Sequence, residues 1–155
     1  MDKNALRETL AARLEAELAV IEAAQRATAE AATHEEAKPE NDKDTRALEQ
    51  SYLARGQAQR ALELRTAIAE TRAMAIRAFA EGDPIALSAL VTIEDDKGEQ
   101  TVFVTRHGGG EEIDGVRVVT VRSPLGRALL GKTEGDDAGF EQAGRARTFS
   151  IARVR

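Results

Sequence analysis

The stretch Thr45–Phe79 reads TRALEQSYLARGQAQRALELRTAIAETRAMAIRAF and decides the fold of the N-terminal half. It contains no proline, and a small or branched apolar residue recurs every seven positions, at Ala47, Ala54, Ala61, Ile68 and Ala75, flanked by Leu48, Leu62 and Ile76. A seven-residue apolar repeat is typical of a coiled-coil seam, and alanine on such a seam lets two helices approach closely. The stretch therefore predicts one long helix that packs against another.

The partner helix precedes it in the chain. Apolar side chains spaced by four, four, four and three residues form one stripe of a helix, and they are Leu6, Leu10, Leu14, Leu18 and Ile21. Alanine-rich sequence extends this helix to about Ala32, and the interruption Thr33–Asp44 contains Pro39. Two helices of similar length joined by a short segment predict an antiparallel αα-hairpin.

A second domain begins after the breaker cluster Glu81-Gly82-Asp83-Pro84. The composition changes there to valine, threonine and isoleucine, and β-type runs follow at 86–94, 100–105, 116–121 and 147–154. Ser123-Pro124 is typical of the start of a short helix. We therefore expect an α+β protein, with a coiled-coil hairpin over residues 1–80, its acidic tip around 33–44, and a small antiparallel β domain with one short helix over residues 82–155.

The composition narrows the class of function. The absence of cysteine excludes disulfides and thiolate metal sites, and the net charge of −5 argues against non-specific duplex binding by the whole molecule. The two histidines, His34 and His107, stand in no recognisable triad or metal motif. We expect a monomeric cytoplasmic protein that has no signal peptide or membrane span and that catalyses nothing alone.

Charge is distributed unevenly along the predicted hairpin. Residues 30–44 hold six acids against two lysines, whereas residues 46–77 hold six arginines against three glutamates. Both features have a plain explanation, because exposed helices and tips carry charge for solubility. The functional hypothesis is that tip carboxylates help to hold Mg²⁺ in the site of another macromolecule, and that the arginines meet phosphates or acidic protein walls.

The segment Ser123-Pro124-Leu125-Gly126-Arg127-Ala128-Leu129-Leu130-Gly131-Lys132, followed by Glu134-Gly135-Asp136, resembles the C-terminal signature of the GreA/GreB family. Glu111-Glu112-Ile113-Asp114-Gly115 and Glu40-Asn41 are also similar to family sequences. The resemblance implies a coiled-coil hairpin joined to a domain that resembles the FKBP fold. It covers nearly the whole chain.

The resemblance also implies a function. The hairpin would enter the secondary channel of bacterial RNA polymerase, and the C-terminal domain would dock on the outer rim through Ser123, Pro124, Leu125, Gly126 and Arg127. Tip carboxylates would stabilise a Mg²⁺ ion shared with the polymerase and so promote cleavage of backtracked transcripts, with Glu40 at the metal and Glu36, Asp42 and Asp44 as further acids. Arg46, Arg55 and Arg60 would contact the transcript near its 3′ end or the polymerase. No cofactor would be bound by the factor alone.

One departure at the tip keeps alternatives open. Family sequences typically read Asp-Leu-Ser-Glu-Asn, whereas this chain reads Ala37-Lys38-Pro39-Glu40-Asn41, so Ala37 replaces an acid. A regulator that occupies the channel without stimulating cleavage is therefore the first alternative. A prolyl isomerase is suggested by the fold resemblance alone and would need an aromatic pocket, although Phe103, Phe140 and Phe149 are the only aromatics beyond residue 82. The remaining alternative is a helical scaffold whose partner is not RNA polymerase.

Overall fold

The computed structural model describes residues 1–36 and 44–155. Its elements run in the order α1 (Lys3–Glu36), α2 (Asp44–Ala73), β1 (Leu90–Asp95), β2 (Gly98–Thr105), β3 (Glu112–Ile113), β4 (Val116–Thr120), α3 (Pro124–Leu129), β5 (Asp137–Gln142) and β6 (Arg145–Val154). The expected fold class, two long N-terminal helices followed by a β-rich domain with one short helix, is confirmed.

The chain forms two compact units. The first, here called the hairpin unit, is Ala12–Ala69, and the second, the sheet unit, is Met1–Ala11 together with Glu70–Arg155. Both long helices therefore contribute residues to each unit.

The hairpin unit is held by an apolar seam and by polar pairs between its helices. The buried residues of the seam are Leu14, Ala61, Leu64, Ala67 and Ile68. Arg60 donates to Glu17 at 3.0 Å and 2.5 Å, Arg65 donates to Glu22 at 3.2 Å, and Thr28 Oγ1 donates to the side-chain oxygen of Gln57 at 3.3 Å.

The seam on α2 follows the predicted register at only two of the five repeat positions. Ala61 and Ile68 are buried as expected, but Ala47, Ala54 and Ala75 are exposed, as are Leu48 and Leu62, and Leu64 takes the second seam position. The physical reason is helix geometry, because residues 61, 64 and 68 alternate by three and four and stay on one face. Leu62, one residue after Ala61, lies about 100° away around the helix.

α2 ends at Ala73, earlier than the predicted end near Phe79. Met74 N–H already donates three residues back, to Thr71 O at 3.2 Å, and Arg77 N–H donates to the Ser88 side chain at 2.9 Å. The Arg7 side chain donates to Met74 O at 3.1 Å. These contacts replace the backbone hydrogen bonds that another helical turn would make.

The six strands form one sheet in the order β3-β4-β2-β1-β6-β5. The prediction of an antiparallel domain is wrong at one pair, because β2 and β4 are parallel, with Phe103 beside Val118. Between them the chain passes to the sheet edge, forms β3, and returns through Asp114-Gly115 into β4. β4 is the second strand of the β3–β4 hairpin. It therefore runs antiparallel to β3 and parallel to its other neighbour, β2.

Two strands were missed from the sequence, β3 and β5. β3 has only two residues, and β5 includes Gly139 and no β-branched residue, so neither has a strong strand signal. Both belong to tight hairpins in which two successive residues have positive φ: Asp114 (50°) with Gly115 (78°), and Ala143 (52°) with Gly144 (73°). Such turns match the right-handed twist of the paired strands.

The core of the sheet unit lies between the sheet and α3. Its buried members are Ile85, Ala89, Val91, Ile93, Val102, Val104, Val119, Leu125, Leu129, Phe149, Ile151 and Val154. Most are β-branched, which suits packing on a pleated surface. This core positions α3 and the loops around it.

Candidate functional site

The predicted tip acids lie at the limit of what the structure describes. Glu36 is the last residue of α1 and Asp44 is the first of α2. Glu40 and Asp42 fall in residues 37–43, outside the described residues, as do the side chains of Glu36 and Asp44. The metal role of these four acids therefore stays a prediction.

The three arginines that were predicted to contact a partner differ in the contacts that they make within the described part of this chain. Arg60 is bound across the hairpin to Glu17 and lies 3.6 Å from Glu63, and the hydrogen bond that it donates to Glu17 raises the pKa of its guanidinium. Arg46 and Arg55 are exposed on α2, and neither has an acidic partner in the part of the chain that the structure describes. The guanidinium carbon of Arg55 lies 6.0 Å from the centre of the Tyr52 ring.

The signature at 123–127 has a structural role in positioning α3. Ser123 is the N-cap: its hydroxyl accepts from Gly126 N–H at 3.0 Å and donates to Thr120 O at 2.8 Å. Gly126 is buried, and a Cβ placed on it would lie 1.9 Å from Thr120 O. A serine that caps and a glycine that lets two backbones approach explain this spacing without any ligand.

The five predicted docking residues are therefore not equally accessible. Leu125 and Gly126 are buried, Ser123 and Pro124 are half-buried, and Arg127 is exposed. Ser123 and Pro124 border a small cavity of about 290 Å³ whose other lining residues include Arg117 and Phe140. A partner could contact this region through Arg127 and the proline ring.

Sequence reasoning missed a connection between the end of α2 and the loop after β2. His107 Nε2 lies 2.6 Å from Glu70 Oε2, and this hydrogen bond is the main cause of a lowered pKa of Glu70. Gly108, with φ of 78°, lies against Leu10, whose Cδ1 would be 2.4 Å from an added Cβ. No local pattern in the sequence relates residues 37 positions apart.

The Phe79 ring lies near two cations in the same unit. Lys3 Nζ is 4.9 Å and the Arg77 guanidinium carbon 5.0 Å from the ring centre, and Lys3 also donates to Arg77 O. Burial, and then the neighbouring charge of Arg77, lower the pKa of Lys3. These contacts join the start of α1 to the segment that follows α2.

A wide cleft of the sheet unit has the wrong chemistry for a prolyl isomerase. Its volume is about 970 Å³, and four acids line it: Glu94, Asp95, Asp96 and Asp137. Phe149 is the only aromatic among its described lining residues, and Phe149 is itself buried. The cleft lacks the aromatic apolar wall that the isomerase hypothesis requires.

Within residues 1–36 and 44–155 no group of three or more His, Cys, Asp or Glu is arranged to hold a metal ion. No helix in the same ranges is long and apolar enough to cross a membrane.

Comparison with known proteins gives consistent matches. The family model described as "Transcription elongation factor, GreA/GreB, C-term" matches residues 80–155. The transcription elongation factor GreA of Halorhodospira halophila is 33% identical over 129 residues, which is 83% of this chain and 79% of that protein. GreA of Methylococcus capsulatus is 33% identical over 130 residues, with the same two shares, 83% and 79%.

Two solved structures are also similar to this chain. The GreA factor homolog 1 (Gfh1) protein of Thermus thermophilus is 18% identical, with a TM-score of 0.42 and 94% of each chain covered. The transcription elongation factor GreA/GreB from Nitrosomonas europaea is 20% identical, with a TM-score of 0.35 over 44% of this chain and 57% of that one.

Proposed function

This chain belongs to the GreA/GreB family of transcription elongation factors, and we propose that it binds RNA polymerase, inserts its helical hairpin into the secondary channel and stimulates cleavage of backtracked transcripts. The observation that carries the proposal is the similarity to GreA proteins over 79% of their length. The acid-rich segment between α1 and α2 supports it.

In this proposal the chain's own residues supply charge and position rather than a complete active site. Glu40, with Glu36, Asp42 and Asp44 as neighbours, would present carboxylate oxygens to a Mg²⁺ ion at the polymerase's active centre. Mg²⁺ prefers such oxygens, and when bound it would act as a Lewis acid that stabilises the charge developing on a phosphoryl oxygen during hydrolysis. Because the remaining ligands would come from the polymerase, the factor would have no hydrolytic activity by itself.

The arginines would divide between two tasks. Arg46 and Arg55 are exposed and lack an acidic partner among the described residues, so they would be free to contact the transcript near its 3′ end or the polymerase. Arg60 would instead hold α2 to α1 through Glu17. On the sheet unit, Arg127 would be the main contact to the rim of the channel, since Leu125 and Gly126 are buried.

A second candidate function is favoured by one residue. Ala37 stands where the family typically has an acid, and the loss of one of two metal-directed carboxylates should weaken metal binding substantially. The chain would then occupy the channel and modulate initiation or pausing without cleavage.

A transcript-cleavage assay on a stalled, backtracked elongation complex tests both candidates, with wild type, Glu40→Ala and Ala37→Asp. Cleavage by wild type that is lost in Glu40→Ala would support the first proposal. If wild type does not cleave but competes with an active cleavage factor, and Ala37→Asp gains activity, the second function is supported. A wild type that neither cleaves the transcript nor competes with the active factor would contradict both proposals.

A further inference from the structure

The hairpin unit exposes large apolar side chains on one face of α2. Leu48 is 54% exposed, Tyr52 61% and Leu62 57%. At about 100° per residue these three, together with Arg55, fall within roughly 80° around the helix. We call Leu48, Tyr52, Arg55 and Leu62 the outer stripe.

The outer stripe lies on the side of α2 opposite its seam. Ala61, Leu64 and Ile68, which are buried, lie roughly 140° to 160° around the helix from Leu48, with Gln57 at about 180°. Rotating α2 to bury the outer stripe would bring Leu64 and Ile68 to the surface. The buried residues Ala61, Leu64 and Ile68 therefore fix the rotation of α2, and this rotation leaves the outer stripe exposed.

At the same level of the hairpin the seam carries only small and polar side chains from α2 among the described residues. Between residues 45 and 60 none of the described residues is buried, and the half-buried positions are Gln50 and Gln57. A cavity of about 400 Å³ there is lined by alanines and polar side chains, among them Thr28, Ala47, Gln50, Ala54 and Gln57. Over this part of α2, small and polar side chains line the cavity, whereas Leu48 and Tyr52 lie on the outer face.

The chemistry of the outer stripe is that of a protein interface. Tyrosine and arginine are enriched in the residues that dominate binding energy, whereas a single exposed leucine means little. Arg55 lies over the Tyr52 ring and has no acidic partner among the described residues, while Arg60 and Arg65 are neutralised by Glu17 and Glu22. The complementary surface is therefore apolar, with a carboxylate opposite Arg55.

We propose that the outer stripe docks on a wall of the polymerase channel that presents apolar side chains and a carboxylate facing Arg55. This inference rests on the proposed function, since a helix inserted into a channel is covered on its outer face as well as its inner one. The outer stripe occupies the part of α2 that leads to the acid-rich segment, and from Leu64 onward the seam carries buried apolar residues. The inserted part of the helix is thus the part with an apolar outer face.

A second copy of this chain is a less suitable occupant. Four residues on one helix face fall well short of the roughly 20 to 30 residues a side that stable interfaces bury. They suffice as one part of a larger interface, such as the one the polymerase would form with the whole hairpin and the sheet unit.

The test compares two matched double variants of the full chain. Leu48→Gln/Leu62→Gln alters the outer stripe, and Val20→Gln/Leu53→Gln removes two other apolar side chains of the hairpin that are 68% and 54% exposed. Glutamine keeps a helix propensity close to that of leucine. Binding to core RNA polymerase is measured by displacement of labelled wild type, with circular dichroism to verify helicity.

We expect the outer-stripe variant to raise Kd about tenfold or more and the control variant to change it by less than about threefold. Arg55→Glu should weaken binding more than Arg55→Gln. If the outer-stripe variant binds like wild type, the inference is wrong and the proposed function stands. If wild type does not bind polymerase, the proposed function itself fails. A wild-type dimer in sedimentation that the outer-stripe variant converts to monomer would overturn the inference in favour of a second copy.

Discussion

His107 and Glu70 join the loop after β2 to the last turn of α2, with Nε2 and Oε2 2.6 Å apart. The contact lies within the sheet unit, where Leu10 also packs against Gly108. It brings together residues that are 37 positions apart in the chain.

The first prediction concerns the pH dependence of this contact. The hydrogen bond to His107 holds the pKa of Glu70 below its ordinary value of 4.5. A carboxyl whose folded pKa is lowered contributes stability above its unfolded pKa, and that stability is lost as pH falls through the lower folded value. We therefore expect wild type to lose more thermal stability between pH 6 and about pH 3 than Glu70→Gln does.

The control for this prediction is Glu141→Gln, which alters an exposed carboxylate of β5. Its acid sensitivity should match that of wild type. Equal sensitivity of all three proteins would show that the Glu70 carboxylate adds no pH-dependent stability. Hydrogen exchange of residues 105–110 reports the same effect locally.

The second prediction compares two leucines that are two residues apart on α2. Leu64 is buried in the seam and Leu62 is exposed. Leu64→Ala should destabilise the hairpin unit by about 2–5 kcal/mol, because it removes buried apolar contacts and leaves a cavity. Leu62→Ala should change stability by no more than about 0.5 kcal/mol. Urea unfolding followed by helicity measures both, and similar losses would mean that the seam register is wrong.

The third prediction uses two glycines in opposite surroundings. A Cβ on Gly126 would lie 1.9 Å from Thr120 O, whereas a Cβ on Gly56 would meet nothing within 4 Å. Gly126→Ala should displace α3 and destabilise the sheet unit by about 1–3 kcal/mol. Gly56→Ala should stabilise α2 by up to about 1 kcal/mol, because alanine has the higher helix propensity.

Hydrogen exchange separates the two effects, because it reports on each unit of the chain. Protection of β4 should fall in Gly126→Ala, and protection of α2 should rise in Gly56→Ala. Unchanged protection of β4 in Gly126→Ala would show that α3 tolerates a side chain at this position.

The fourth prediction concerns the C-terminal signature. Arg127 is exposed, whereas Ser123 caps α3. Arg127→Gln should weaken polymerase binding and leave the melting temperature within about 2 °C of wild type, since exposed substitutions rarely alter stability. Ser123→Ala should lower stability by about 1 kcal/mol through loss of the cap. Unchanged polymerase affinity in Arg127→Gln would remove this residue from the docking surface.

Local patterns in the sequence were sufficient for much of the fold. The two long helices follow from apolar spacing and the lack of proline in α2, and the start of α3 follows from Ser123-Pro124, because helix periodicity and capping are properties of neighbouring residues. The family likewise could be inferred from a single contiguous signature.

Only the tertiary structure decided which side chains are covered and which strands are neighbours. Leu62 and Leu64 are both leucines of α2, but only Leu64 lies on the same helix face as the buried residues Ala61 and Ile68. The parallel pairing of β2 with β4 and the hydrogen bond of His107 to Glu70 depend on the path of the chain between distant residues. Such contacts leave no periodic signal, because they form only when separate segments of the chain pack together.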